Sequence, residues 1–512
     1  MKSLILRKIL EMRGAGSSPL TKALSVSAAH RPPTKIDGQK TAKKHMALIL
    51  GFVGTNYFGI QTQRAQGTPG QPTVADALRA ALLKSGGILP SNFDSLERTK
   101  FRISSRTDKG VHAANAVVSL KMETLEHMLR PMGADALGID RMCLTEEEVE
   151  RINSLLPHDV RLFGGVTVRK SFEPRECASH RVYEYILPTS ALGSNGVDKF
   201  DSALQLFEGT QRFHNFCSGL RQSEDKAGVF EFHGEEWRLA LPLKSFSSAE
   251  YRTVFSCRVK EEFKHGGQSF VIIRIAGISF VLHQIRHMIG SALAVAHNLV
   301  PSSAVVTALR SPLWVDVSPL APGAGLLLDH IGWCNMRDGS DEVCFPDACT
   351  AEANLFKRER IYKHICQSYL DGSIVDDFLS TMQDYFTYSG IDFEKLKRVN
   401  AGLKEHIHDM ALTRRKERAE NRELTAKDEF GDESQKQVSS TSASSKRQKR
   451  RNGLPGGLFT QICMQFNLLP GQESFRYYDL LLKKAERGEV LSNLPYETYI
   501  QILRDELGPS RS

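Results

Sequence analysis

The chain has 512 residues, 41% of them apolar and 25% charged, which suits a globular protein with more than one folded unit. No run approaches the roughly 20 apolar residues needed to span a bilayer, so an integral membrane protein is excluded and no membrane partner is expected. The formal net charge of +8 is concentrated: residues 1–45 carry ten Lys/Arg against two Asp/Glu, and the remainder balances at 57 of each sign. A polyanion-binding surface on such a neutral body must therefore come from sorting charge onto one face.

Residues 1–45 read as a basic targeting segment, expected to be disordered. Ile5, Leu6, Ile9, Leu10 and Met12 share one side of a helical wheel, and Glu11 and Asp37 are the only acids, the pattern of a mitochondrial transit peptide. Its rival is a basic tail that touches nucleic acid.

From 46 the pattern is globular. MALILGF (46–52) reads as a buried strand and Thr73–Leu83 as an amphipathic helix. FRIS (101–104) and Val117–Lys121 read as strands flanking a tight loop. Thr145-x-x-Glu148 is a capping box that opens a helix, with Pro157 as its stop. Strands follow near 159–169 and 180–187. A second series has a helix near 200, strands near 250–262 and 268–276, and a helix from Val281 to about His297.

This mixture implies an α+β fold with an N-terminal catalytic subdomain (46–190) and a C-terminal one (191–335). A helical extension (336–426), a disordered basic and Ser-rich linker (427–452) and a small helical appendage (453–512) complete the chain. Lys446–Arg451, KRQKRR, makes the nucleus a second candidate location, alone or with the mitochondrion. The nine cysteines are scattered without a CxxC pair, which implies free thiols in a reducing compartment and no structural zinc.

The segment SSRTDKGVHAANAVVSL (104–120) holds a carboxylate in a turn between two strands. Spacing alone favours an ordinary turn, since Asp and Gly are common there for backbone reasons. The residues themselves say more. RTDKGVHA (106–113) resembles the signature loop of the TruA family of pseudouridine synthases, closest to its eukaryotic branch. FVGTNYFGIQTQ (52–63) resembles the family's opening strand and loop, with Val53 and Ile60 where Asp and Trp are usual. INSLLPHDVRLF (152–163), FEPRECASHRVYEYILP (172–188) and GTQRFHNFCSG (209–219) follow in family order, Gln211 replacing the usual His. FVLHQIRHMIG (280–290) and LAPGAGLLLDHIGW (320–333) complete the set, and NLFKRERIYKHI (354–365) resembles a helix added in the eukaryotic branch.

The resemblance implies two ferredoxin-like subdomains whose antiparallel sheets join across a central RNA-binding cleft. It implies isomerisation of specific uridines to pseudouridine, with tRNA as the expected substrate. Asp108 is then the catalytic residue, Tyr183 the active-site tyrosine and Arg286 the arginine brought to the aspartate. That arginine would keep the carboxylate ionised. Tyr183 would stack on the detached uracil and take the C5 proton. Arg106, Arg64, Lys109, Arg175 and Arg181 are the candidate RNA contacts.

The reaction involves neither redox chemistry nor phosphate transfer, so no cofactor and no metal are expected. His283 and His287, at i, i+4 on an expected helix, have metal-ligand spacing but no evident third ligand. A non-catalytic RNA-binding or ribosome-assembly factor is the alternative on the same fold. Whether the chain is a monomer or a homodimer stays open.

Overall fold

A computed structural model describes residues 41–63, 71–134, 140–194, 196–218, 230–233, 236–239, 251–311, 318–333, 343–389, 458–466, 468–469, 472–487, 494 and 496–507. In chain order the strands are β1 (Ala42–Phe52), β2 (Arg102–Ile103), β3 (His112–Thr124), β4 (Leu129–Ala134), β5 (Asp140–Leu144), β6 (Val160–Thr167) and β7 (His180–Pro188). They continue as β8 (Gly209–Arg212), β9 (Phe230–His233), β10 (Glu236–Leu239), β11 (Tyr251–His265), β12 (Gln268–Gly277) and β13 (Leu326–Gly332). β9 and β10 pair with each other; the remaining eleven form one sheet in the order β4-β5-β6-β1-β3-β13-β7-β12-β11-β8, with β2 on β3.

Every pairing in the large sheet is antiparallel except one. β13 lies parallel to β3, through Leu327↔His112 and Leu328↔Ala113, and antiparallel to β7 on its other side. The two series are therefore joined by a late strand inserted between them. Because Leu328 pairs with both Ala113 and Tyr183, this register carries the chain just after Asp108 to the side of Tyr183.

β3 runs eight residues beyond the five expected, and all but one of its residues are buried. A central strand covered on both faces shows no polar alternation, so its ends were not visible in the pattern. The helix caps follow the sequence closely. Thr73 caps α1 (Val74–Lys84), its hydroxyl accepting from the Asp76 amide, and Thr145 caps α2 (Glu146–Asn153) through the Glu148 amide. α3 (Gly196–Gln205), α4 (Gln284–Ala296) and α5 (Ser302–Arg310) belong to the second half. α4 begins three residues later than Val281, with His283 as its N-cap in the left-handed region, φ 61°.

Behind the sheet lie α6 (Asp347–Phe356), a π-helical turn over Lys357–Tyr362, α7 (Lys363–Asp371) and α8 (Ile374–Ser389). A buried ionic cluster fastens them. Lys357 Nζ pairs with Asp329 on β13 and lies 3.4 Å from Glu184 on β7, and the Tyr362 hydroxyl donates to the same Glu184 carboxylate. The appendage forms α9 (Leu458–Gln465), α10 (Gln472–Glu486) and α11 (Tyr496–Leu507) around Leu458, Ile462, Leu481, Tyr499 and Leu503. Phe459 and Cys463 pack it onto Val182, Phe255 and Ala276 of β7, β11 and β12. Residues 1–40 of the expected targeting segment, the basic linker and the helical extension from 390 on lie outside the described residues, whereas Ala42–His45, expected to be disordered with that segment, open β1. No helix among the described residues is long and apolar enough to cross a membrane.

Candidate active site

The loop that carries Asp108 is stitched to two other segments of the chain. The Ile60 amide donates to the Thr107 hydroxyl at 3.0 Å, and the Gly110 amide donates to the Tyr57 carbonyl at 3.2 Å. Tyr57 is in turn held from below, its hydroxyl donating to Asp159 at 2.6 Å. The blocks around 52–63, 106–113 and 152–163 thus converge on one structure. Gly59, with φ +85°, is required there: a Cβ would lie 2.1 Å from the Thr107 carbonyl oxygen. His112 accepts from the Gly54 amide at Nδ1, so its Nε2 carries the proton and donates to the Ala324 carbonyl. Full burial pushes that imidazole down to about 3. A ring held neutral and bonded at both nitrogens is structural.

Above this platform opens a cavity of about 400 Å³. Asp108 is the one carboxylate among its described lining residues, alongside Arg106, Arg175, Arg181 and Arg252. Tyr183 forms part of the wall, its hydroxyl 2.9 Å from Ser105 Oγ and its ring edge-on to Phe280 at 5.4 Å between centroids. Burial raises its phenol above the ordinary value. Its ring, edge-on to Phe280 in the cavity wall, is placed to pack on a base.

Asp108 differs from the expectation in its partner. Its nearest cationic candidate is His283, whose Nε2 lies 3.6 Å from Oδ2. Arg286 sits further back in the wall, its Nε donating to the Ala321 carbonyl at 2.6 Å, and makes no contact with Asp108 as close as that. Burial pushes the Asp108 carboxyl up, and the pull of His283, then Arg286, only partly offsets it. The arginine alone thus does not hold this carboxylate in its usual range; desolvation wins.

The candidate RNA contacts divide. Arg106 and Arg175 are exposed at the cavity, and Lys109 is exposed with its ammonium 4.4 Å above the Phe58 ring. Arg181 is buried, and its guanidinium donates to the carbonyls of Ala178, Ile278, Ser104 and Arg175. Those bonds make it a strut between β7, β12 and the Asp108 loop, where a phosphate contact was expected. Arg64 lies outside the described residues.

His283 and His287 do not form a metal pair. His283 is the N-cap, and Ser218 Oγ sits between its Nδ1 (2.8 Å) and Nε2 of His287 (3.0 Å). No cluster of three or more metal-ligand side chains occurs among the described residues. Sequence reasoning missed His283 and Arg252 as lining residues. The first was hidden because residue 283 was assigned to the helix; a left-handed N-cap leaves no periodic signal.

A family model described as tRNA pseudouridine synthase matches residues 203–333. The chain is 30% identical to the human pseudouridylate synthase 1 homolog over 356 residues, 66% of this chain and 72% of that protein. It is 28% identical to the mouse protein of the same name over 67% of this chain and 75% of that one. With tRNA pseudouridine synthase 1 of Yarrowia lipolytica it shares 27% identity over 70% of this chain and 78% of the relative. The joined sheet and these likenesses define the class as pseudouridine synthase, an isomerase. Within it, the chain belongs to the TruA family of tRNA pseudouridine synthases.

Proposed function

We propose that this enzyme isomerises uridines of tRNA, with Asp108 as the catalytic residue. The observation that carries the assignment is the cavity lining: one carboxylate, on a loop clamped by two other segments, facing a space otherwise set with arginines. A polyanion is drawn to such a rim, and its uridine must leave the stack to reach a carboxylate on the floor. Asp108, in its charged form, is the group able to act on the detached nucleoside as nucleophile or base. The C1′–N1 bond breaks, uracil turns, and C1′–C5 forms. The hydrogen then leaves C5 as a proton and N1 gains one, so the reaction balances without an electron acceptor.

Tyr183 is assigned to the wall against which the uracil turns, and Arg286 to a supporting charge behind Asp108. Arg106, Lys109 and Arg175 are assigned to the RNA backbone, with Arg64 from the segment before α1. The TruA-family likeness supports tRNA as substrate, as do the printed names of the fungal relatives. Release of tritium from 5-³H-uridine tRNA tests the central assignment: Asp108→Asn should bind tRNA and release none. Appreciable release by the variant would remove Asp108 from the chemistry.

The basic segment over residues 1–45 supports import into mitochondria, with KRQKRR (446–451) as the nuclear rival. Imaging a C-terminally tagged protein with and without residues 1–40 separates them. Loss of mitochondrial signal on deletion is expected, and an unchanged nuclear signal reverses the assignment.

A further inference from the structure

The hydrogen bonds around His283 determine which of its nitrogens carries a proton. They run back from a backbone carbonyl, which can only accept. His287 Nδ1 lies 2.8 Å from the Ser318 carbonyl oxygen and 3.1 Å from Ser318 Oγ. Ser318 Oγ has already given its hydrogen to the Asn215 carbonyl at 2.8 Å. Both neighbours are therefore acceptors, and His287 carries its proton on Nδ1. In the neutral ring Nε2 is then a lone pair, and Ser218 Oγ, 3.0 Å away, must donate to it. The Ser218 hydroxyl has one hydrogen, so towards His283 Nδ1 at 2.8 Å it accepts, and His283 also carries its proton on Nδ1.

The consequence falls on Asp108. With both rings neutral, His283 turns a bare lone pair towards Oδ2 at 3.6 Å. One more proton anywhere on the chain reverses this. On His283 it sits at Nε2 directly. On His287 it reverses the Ser218 hydroxyl, which then donates to His283 Nδ1, and His283 releases its Nδ1 proton to solvent and takes one from solvent at Nε2. Either way a donor faces the carboxylate. We infer that His283, Ser218 and His287 form a proton relay that takes up one proton in place of Asp108 and so keeps the catalytic carboxylate charged as pH falls. This rests on Asp108 being the catalytic residue, and it makes His283 a positioning residue for it.

Two further observations agree. His283 holds a left-handed backbone conformation, φ 61°, that L side chains rarely adopt. Its side chain makes no N-cap bond to its own helix and points to Asp108 and Ser218. The surrounding charges also explain why a relay is needed. Arg252 on β11, Arg181 on β7, and Arg106 and Arg175 line the cavity together with Tyr183 and Cys217, and Arg286 on α4 lies behind them. Burial opposes a proton on His283 and the Arg286 guanidinium opposes it further, while Asp108 favours it. Burial also pushes Asp108 towards its acid form. The two groups compete for one proton, and the bond network gives the imidazole a place to put it.

The test is the pH dependence of the single-turnover rate on saturating 5-³H-uridine tRNA, for wild type and three variants, with Asp108→Asn as control. His283→Asn tolerates the left-handed backbone and can keep the Ser218 contact while lacking the nitrogen that faces Asp108. Without the relay's proton Asp108 is protonated sooner, so the acid limb should move to higher pH. His283→Gln supplies a permanent uncharged donor near Asp108 and should bring the limb back towards wild type. Ser218→Ala cuts the relay between the histidines and should move the limb part of the way. A merely structural role predicts a lower plateau or weaker binding with the limb in place. Acid limbs that superimpose on wild type in His283→Asn and Ser218→Ala, with Asp108→Asn inactive, overturn the relay alone. Turnover by Asp108→Asn overturns the relay and the assignment of Asp108 together.

Discussion

Adjacent residues of β7 belong to two opposite electrostatic designs. Glu184 belongs to the back of the sheet, where each buried charge is matched: its carboxylate meets Lys260 at 3.3 Å, Lys357 at 3.4 Å and the Tyr362 hydroxyl, while Asp329 takes Lys357. Tyr183, one residue before, lines the cavity, where a single carboxylate faces a histidine at 3.6 Å and several guanidinium groups. The back closes its charges on one another and holds helices to the sheet. The front gathers guanidinium groups around one carboxylate, an excess of positive charge that costs stability in the free protein and is useful once a polyanion arrives. Buried charge on this sheet is thus structural where groups inside the protein take it up, as for Glu184 and Arg181, and functional where it faces the cavity, as for Asp108.

The largest test of that contrast is Asp108→Asn. Turnover should fall by about 10³-fold or more, since the amide is neither nucleophile nor base. The urea midpoint should stay or rise, because the carboxyl is already disfavoured in its charged form by burial. Marked destabilisation would place Asp108 with the structural charges.

Lys357→Met should do the reverse. It leaves Glu184 and Asp329 buried without their shared cation, a loss of about 3–5 kcal/mol. Turnover per folded molecule should be kept. Adding Glu184→Gln and Asp329→Asn should recover much of the stability, because the unpaired charges cause the loss. Urea unfolding of the single and triple variants reads this directly.

How far these designs were legible in the sequence differs from one residue to the next. The segments that clamp Asp108 were readable because they are contiguous blocks: Tyr57, Gly59, Thr107 and Asp159 each lie in a segment that resembles the family, while the side-chain bonds between those segments were not visible. Thr73, read as the first residue of its helix, proves to be that helix's cap, and the cap at Thr145 was readable because it is local. The insertion of β13 between β3 and β7 was not, since a parallel pairing across 215 positions leaves no local trace. Nor was Arg181 distinguishable from Arg175: both are arginines in one motif, and only the fold buries one of them on four carbonyls. His283 was misplaced because its backbone breaks the helical period there.

Gly59→Ala attacks the clamp itself. The Cβ would meet the Thr107 carbonyl at 2.1 Å, in a backbone region that already disfavours alanine. Strain of about 1–3 kcal/mol is expected. Displacing the Asp108 loop by about 1 Å should cost turnover about 10²-fold. Binding of tRNA should fall less than the rate, because Arg175 lies outside the displaced loop although Arg106 and Lys109 lie in it. Equal losses in affinity and rate would show that this loop carries the RNA as much as it carries the chemistry.

The smallest effects separate the arginines. Arg106 and Arg175 are exposed at the cavity, whereas Arg181 spends its guanidinium on carbonyls. Each phosphate contact releases counterions, so Arg106→Gln or Arg175→Gln should lower the log–log salt slope by about 0.7–0.9. The loss of affinity should be alike for all tRNAs, and the single-turnover rate of bound RNA should hold. Arg181→Gln should leave the slope nearly unchanged and instead lower stability by about 1–3 kcal/mol, because buried carbonyls lose their donor. Filter binding across a salt series, paired with urea unfolding, places each arginine on one side of the divide. A changed slope in Arg181→Gln, with stability intact, would move that residue to the RNA surface and weaken the rule that paired charge on this sheet is structural.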